Sequence, residues 1–156
     1  MTTLQRRKLA PGGAFRLVIA CLFLFCAGLS ALAHADTRAV EGFAVDEVVL
    51  RGSSELKIVV GERNRLLVRG DSNALDLEPF YVRGESLRLG RSSAGSSVND
   101  VQYLLEVERL ERIVLKGSGD VWVDPMVADS LEVSVEGSGV IYMHDVKVSR
   151  LDVTVA

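Results

Sequence analysis

The stretch Leu115–Ser130, LKGSGDVWVDPMVADS, returns 20 residues later as Val135–Arg150, VEGSGVIYMHDVKVSR. At that offset Ile113 falls on Val133 and Val153, Leu115 on Val135 and Val155, Val121 on Ile141, and Val123 on Met143. Met126 and Ala128 fall on Val146 and Val148, so apolar meets apolar at each of these steps. A fixed period near 20 residues with repeated turn chemistry is the sequence signature of a solenoid, in which each unit buries its apolar face only against its neighbours. Gly117, Gly119, Gly137 and Gly139 then become stacked corners. Glycine there permits positive φ, which is expected at Gly119 and Gly139, and avoids a side chain that would strike the next coil.

The rest of the chain beyond residue 35 reads as short β-strands. DEVVLRG, ELKIVVG, RLLVRG, FYVRG, SLRLG and YLLEVE are brief runs, several alternating in period two, and most close on glycine or a polar turn. Aromatic residues make up only 6% of the chain, so the core must come from Val, Leu and Ile, which suit a narrow β interior. No window forms an amphipathic helix. Gly90–Asp100, GRSSAGSSVND, reads as an exposed, mobile connection on its Ser and Gly density.

The first 35 residues carry a different message. Arg6, Arg7, Lys8 and Arg16 lead into the apolar run Leu17–Ala27, and small residues follow up to AHA at 33–35. That order is a secretory signal, with cleavage expected after Ala35 or, alternatively, after Ala33. An uncleaved anchor is the rival, since Leu17–Ala33 falls just short of the ~20 residues of a spanning helix. Cys21 and Cys26 both lie in this segment, so the exported chain would hold no disulfide, thiolate metal site or cysteine nucleophile. Removing the signal leaves 14 basic residues (18 less those four) against 21 acidic ones, a net charge of −7. Such a balance excludes partners held by phosphate neutralisation: no nucleic acid and no anionic membrane surface is expected.

Catalytic and cofactor signals are sparse. Gly-Ser-Gly lacks the third glycine and the strand-to-helix context of a phosphate loop. A calcium β-roll needs a nine-residue acidic lattice, whereas Asp120 is followed one period later by Val140. No metal or cofactor is therefore expected. His144, the single histidine beyond the signal, could serve Ser118 or Ser138 as a base, but corner serines are explained as turn residues. Asp120, Asp124 and Glu136 are candidates for the paired carboxylates of a glycan-cleaving enzyme, but periodicity places Glu132 and Glu136 on the solvated side of their strand.

If Val121, Val123, Ile141 and Met143 point inward, Trp122 and Tyr142 point outward from neighbouring units, their backbones about 4.8 Å apart. The pair can be a stabilising cross-strand contact or a flat platform for a sugar ring, with Asp120, Lys147 or Arg150 at its rim.

The succession VVLRGSSELKIVVGERNRLLVRGDSN, GESLRLG, VQYLLEVERLERIVLKGSGDVWV and LEVSVEGSG resembles the bacterial head GIN domain family, whose members are labelled autotransporter adhesins. The resemblance runs from about Phe43 to Ala156. It implies a right-handed parallel β-solenoid outside the cytoplasm, with no established reaction and no catalytic residue to carry over. The expected arrangement is thus a signal over 1–35 and an all-β solenoid domain over 36–156. The expected function is a non-catalytic envelope or cell-surface binding or scaffold module, periplasmic or surface-exposed, with envelope or host glycans or proteins as partners. A polysaccharide lyase or hydrolase on the same scaffold is the alternative. Because LDVTVA repeats the strand LEVSVE without a polar cap, the expectation is also that the C-terminal coil is open, in a fragment of a longer frame or in a chain that self-associates through this end.

Overall fold

The computed structural model describes residues Ala35–Ala156, so the signal expected over 1–35 lies, apart from Ala35, outside the described residues. The strands are β1 (Asp36–Glu41), β2 (Glu47–Gly52), β3 (Glu55–Val60), β4 (Arg65–Gly70), β5 (Phe80–Arg83) and β6 (Ser86–Leu89). They continue with β7 (Gln102–Val107), β8 (Arg112–Gly117), β9 (Asp120–Val123), β10 (Met126–Gly137), β11 (Val140–Met143) and β12 (Val146–Val155). A five-residue helix, Ser72–Asp76, lies between β4 and β5.

These strands form two six-stranded sheets, ordered β1-β4-β7-β3-β9-β11 and β12-β10-β8-β2-β6-β5. Both are mixed. The pairs β1–β4, β4–β7 and β5–β6 are antiparallel, and the others are parallel. The fold is therefore not the right-handed parallel β-solenoid that the repeat and the resemblance implied. The 20-residue period covers only the C-terminal part of the chain, and a solenoid needs it throughout. Before that part, Gly84 at φ +63 occupies the first position of the two-residue connection between the paired residues Arg83 and Ser86, a turn that folds β6 back antiparallel on β5. β7 then inserts between β3 and β4, parallel to one and antiparallel to the other.

Within the C-terminal part the period does set the register. Val133 pairs with Ile113 and Val153, Ile141 with Val121, and Met126 with Val146. β2 joins the same column, with Val48, Leu50 and Gly52 opposite Ile113, Leu115 and Gly117. Three β-arches result, β2–β3, β8–β9 and β10–β11, each carrying the chain from the second sheet to the first through a Gly-Ser corner.

The corner glycines divide the labour in an unexpected way. Positive φ belongs to Gly52 (+87), Gly117 (+132) and Gly137 (+123), not to Gly119 or Gly139. Gly119 and Gly139 are needed for close approach: a Cβ on Gly119 would collide with the Ser54 carbonyl oxygen, and one on Gly139 with that of Gly119. Each corner is sewn to the next, since the Gly117 carbonyl accepts from the N–H groups of Ser138 (3.0 Å) and Gly139 (2.9 Å).

The core lies between the sheets and is aliphatic. Val48, Leu50, Leu56, Ile58, Leu66, Leu87, Leu105, Ile113 and Leu115 are at most 1% exposed, and each such side chain contributes roughly 1.5–3 kcal/mol by burial. Tyr103 is the exception to the aliphatic rule. Its hydroxyl donates to the Pro79 carbonyl (2.9 Å) and accepts from the Gly90 N–H (3.0 Å). Burial pushes its pKa up to about 12, against the opposing pull of the Gly90 hydrogen bond. The same bond, with buried Val98, ties down the Gly90–Asp100 connection that composition alone marked as exposed and mobile.

At the β11/β12 end the sheets are stepped. β12 extends the second sheet past β10, while the first sheet stops at β11, the arch partner of β10. The inward row of β12, Leu151, Val153 and Val155, consequently has no facing strand among the described residues, and Val155 is 72% exposed.

Candidate functional site

Alternation in the first sheet decides which side chains leave the core. In β9 Val121 and Val123 are buried, so Trp122 faces out; in β11 the neighbours Ile141 and Met143 point toward the core side, so Tyr142 does the same. The two rings stack with centroids 5.5 Å apart and planes 12° from parallel. Their outer surfaces remain available, with Trp122 36% and Tyr142 50% exposed.

The register extends this pair across the sheet. Trp122 lies opposite Lys57 of β3, Lys57 opposite Leu104 of β7, and Leu104 opposite Leu67 of β4. Four inter-strand steps of about 4.8 Å give the row a length of ~19 Å. A second row, polar except at its β11 end, runs alongside it: Arg69, Gln102, Glu55, Asp120 and Val140 occupy successive paired positions. Between them lies a shallow groove of about 560 Å³ on the outer face of the first sheet. Its polar side chains are partly held in place, since Gln102 Nε2 donates to Glu55 Oε2 at 3.1 Å and Lys57 Nζ sits 3.1 Å from Asp124 Oδ2.

Of the residues singled out in the sequence, Trp122, Tyr142 and Asp120 share this face. Lys147 and Arg150, expected at its rim, are in β12 of the other sheet and do not belong to it. Each arch moves the chain between sheets, so outward residues on successive strands point to opposite sides of the sandwich. The true flank is built by Lys57, Leu104, Leu67, Glu55, Gln102 and Arg69. Their only sequence signal was period-two alternation, which marks a residue as outward without saying which strand lies beside it.

The other candidates are dispersed. His144 sits at the far end of β11 from the Ser138 corner, on the order of 15–20 Å along an extended strand, and Ser118 stands beside Ser138 in the adjacent arch. His144 instead lies 3.4 Å from Asp145 in solvent. Glu132 and Glu136 face outward on the second sheet as part of an ionic ladder, with Arg112–Glu132 at 3.2 Å and Lys116–Glu136 at 2.6 Å. Among the described residues no three His, Cys, Asp or Glu side chains converge on a point that could hold a metal ion.

Several solved structures share the fold. A protein titled "putative adhesin" from Bacteroides fragilis matches with a TM-score of 0.68 at 17% identity, over 78% of this chain and 58% of its own. Another of that description, from Parabacteroides distasonis, gives 0.70 at 14% identity over 80% and 54%. A protein of the same organism titled "putative lipid binding protein" gives 0.58 at 16% identity over 80% and 63%. The chain thus spans a little over half the length of these proteins. No curated protein matches the chain. The family model described as "Putative auto-transporter adhesin, head GIN domain" matches residues 44–156, and by that match the chain belongs to the head GIN domain family.

Proposed function

We propose that the protein is an exported, non-catalytic binding module of the bacterial envelope, periplasmic or surface-exposed, which takes a glycan on the outer face of its first sheet. The observation that carries this reading is the stacked Trp122–Tyr142 pair, continued by Lys57, Leu104 and Leu67 into a row across five strands. Flat aromatic and aliphatic surface suits the apolar faces of sugar rings, while amide and carboxylate groups beside it suit their hydroxyls. The family description and the adhesin titles of the structural relatives support a surface-binding role.

The test is a screen of the purified protein against envelope and host glycans, repeated with Trp122→Ala and Tyr142→Ala. A ligand bound by the native protein should be lost at least tenfold in Trp122→Ala while the melting temperature stays within a few degrees. A large loss of stability would instead assign the pair to holding the sheet together.

One observation favours an enzyme as the second reading: Glu55 and Asp120 are directly opposite each other on adjacent strands beside the groove. Glycosidases place their two carboxyl groups on either side of the scissile bond. These two stand side by side on one flat face, which fits hydrogen bonding to hydroxyls better. Cleavage of a bound oligosaccharide, abolished by Glu55→Gln, would reverse that preference.

A further inference from the structure

The two outer faces of the sandwich treat their apolar side chains in opposite ways. On the second sheet Val49 and Val114 are opposite each other and alternate with the core residues Val48, Leu50, Ile113 and Leu115, so they point outward, yet they are only 2% and 5% exposed. Ion pairs flank them on both sides, Arg112 with Glu47 and Glu132, and Lys116 with Glu136, and the aliphatic stems of these long side chains roof the stripe. On the first sheet the outward stripe stays open, with Leu104 39% and Trp122 36% exposed. The side chains that could cover it are committed elsewhere: Glu106 pairs with Arg63, Lys57 with Asp124, and Gln102 with Glu55, each at 3.1 Å. These contacts hold the polar groups to the sides and leave the groove between them free. Contiguous apolar surface left open in this way marks a docking face.

The repeat of the stripe constrains what docks. Each strand offers one residue of the row and, two positions along, one polar residue: Leu104 with Gln102, Lys57 with Glu55, Trp122 with Asp120. Adjacent strands are about 4.8 Å apart, close to the advance of one pyranose unit along an extended glycan. A pyranose carries the matching features, an apolar face of ring hydrogens and an edge of hydroxyls. We infer that the groove binds a linear glycan lengthwise across the strands, one sugar unit per strand, so that the stretch from Trp122 to Leu67 holds about four units over ~14 Å. This rests on the reading of the aromatic row as a glycan platform, and adds to it the direction of the chain, the length of the bound segment and Leu104 and Leu67 as the contacts for its far half.

The experiment is calorimetric titration of the purified protein with linear β1,4-linked oligomers of glucose, of mannose and of N-acetylglucosamine, from one to six units long. In the series that binds, affinity should rise at least tenfold between two and four units and stay level from four to six. Leu104→Ser should remove that gain, so that the tetramer binds at least tenfold more weakly while the dimer, seated at Trp122 and Lys57, binds as before. Leu67→Ser, at the end of the row, should move the plateau from four units to three. Leu104 is partly exposed and Leu67 half-buried on the outer face, so both variants should keep the native melting temperature within a few degrees. Trp122→Ala should weaken every length. Trp122-dependent binding that is already level at two units would overturn the lengthwise inference and leave the platform standing. A gain with length that survives both leucine variants would overturn it too. Binding of no length in any series would overturn it as well, and with an empty glycan screen would take the platform with it.

Discussion

The two kinds of glycine at the arch corners can be separated by alanine substitutions. Gly42 has φ +83 with nothing within 4 Å of where a Cβ would be, so Gly42→Ala tests backbone strain alone, expected at about 1 kcal/mol. Gly119 has no positive φ, but its added Cβ would strike the Ser54 carbonyl and sit 3.3 Å from Leu50 Cδ2. The obstacle is backbone held in register by the arch below it, so relief requires the column of corners to spread. Overpacking of this kind costs 1–3 kcal/mol, and rigid surroundings put Gly119→Ala at about 3. Gly117 combines both burdens, with φ +132 and a Cβ 2.5 Å from the Gly52 carbonyl oxygen, so Gly117→Ala should lose about 4 kcal/mol. For a domain stable by about 5–15 kcal/mol these are large fractions. The assay is urea unfolding followed by circular dichroism. With m near ~1.5 kcal/mol/M, a 3 kcal/mol loss lowers the midpoint by about 2 M. If Gly119→Ala unfolds at the same urea concentration as Gly42→Ala, close approach of the corners is not what requires glycine, and the stacking argument fails.

Tyr103 gives a prediction in pH. Its pKa is raised from 10.0 to about 12 by folding, so between those values the unfolded chain has released the proton and the folded one has not. Stability must therefore be constant in this respect below pH 10 and fall by roughly 2–3 kcal/mol as pH rises to 12; Tyr103→Phe should remove that part of the slope, and unchanged alkaline unfolding curves would contradict it. The step at β12 gives one in association. If a second copy covers the row Leu151, Val153 and Val155, light scattering should show a dimer that Val153→Lys dissociates. A monomer at every concentration would show that the exposed row is tolerated in water.

What could be read in the sequence was whatever repeats locally. The corner pattern and the matching apolar positions put β8, β10 and β12 in their true register before any coordinates, because parallel strands joined by equal arches must align at the repeat length. The first arch escaped this reading because Ser54 stands where Gly119 and Gly139 stand, which breaks the motif although the register holds. The order of strands was not legible. Nothing local tells β7 to enter between β3 and β4, since that choice depends on burying Leu105 and Tyr103 beside Ile58, Leu66 and Val68. The site followed the same division: Trp122 and Tyr142 lie on strands one repeat apart and were visible, whereas Lys57 and Leu104 reach them only through the non-sequential pairs.

Trp122 is the only tryptophan in the chain, and it stands on the outer face against Tyr142 instead of in the core. The protein's intrinsic fluorescence is thus a local optical probe. Its emission should report water leaving the groove when a ring settles on it, by a shift to shorter wavelength and protection from soluble quenchers. The same placement makes it a poor witness to the collapse of the aliphatic interior, so a melting curve followed at tryptophan wavelengths would record the β9–β11 edge and could part company with one followed through the backbone.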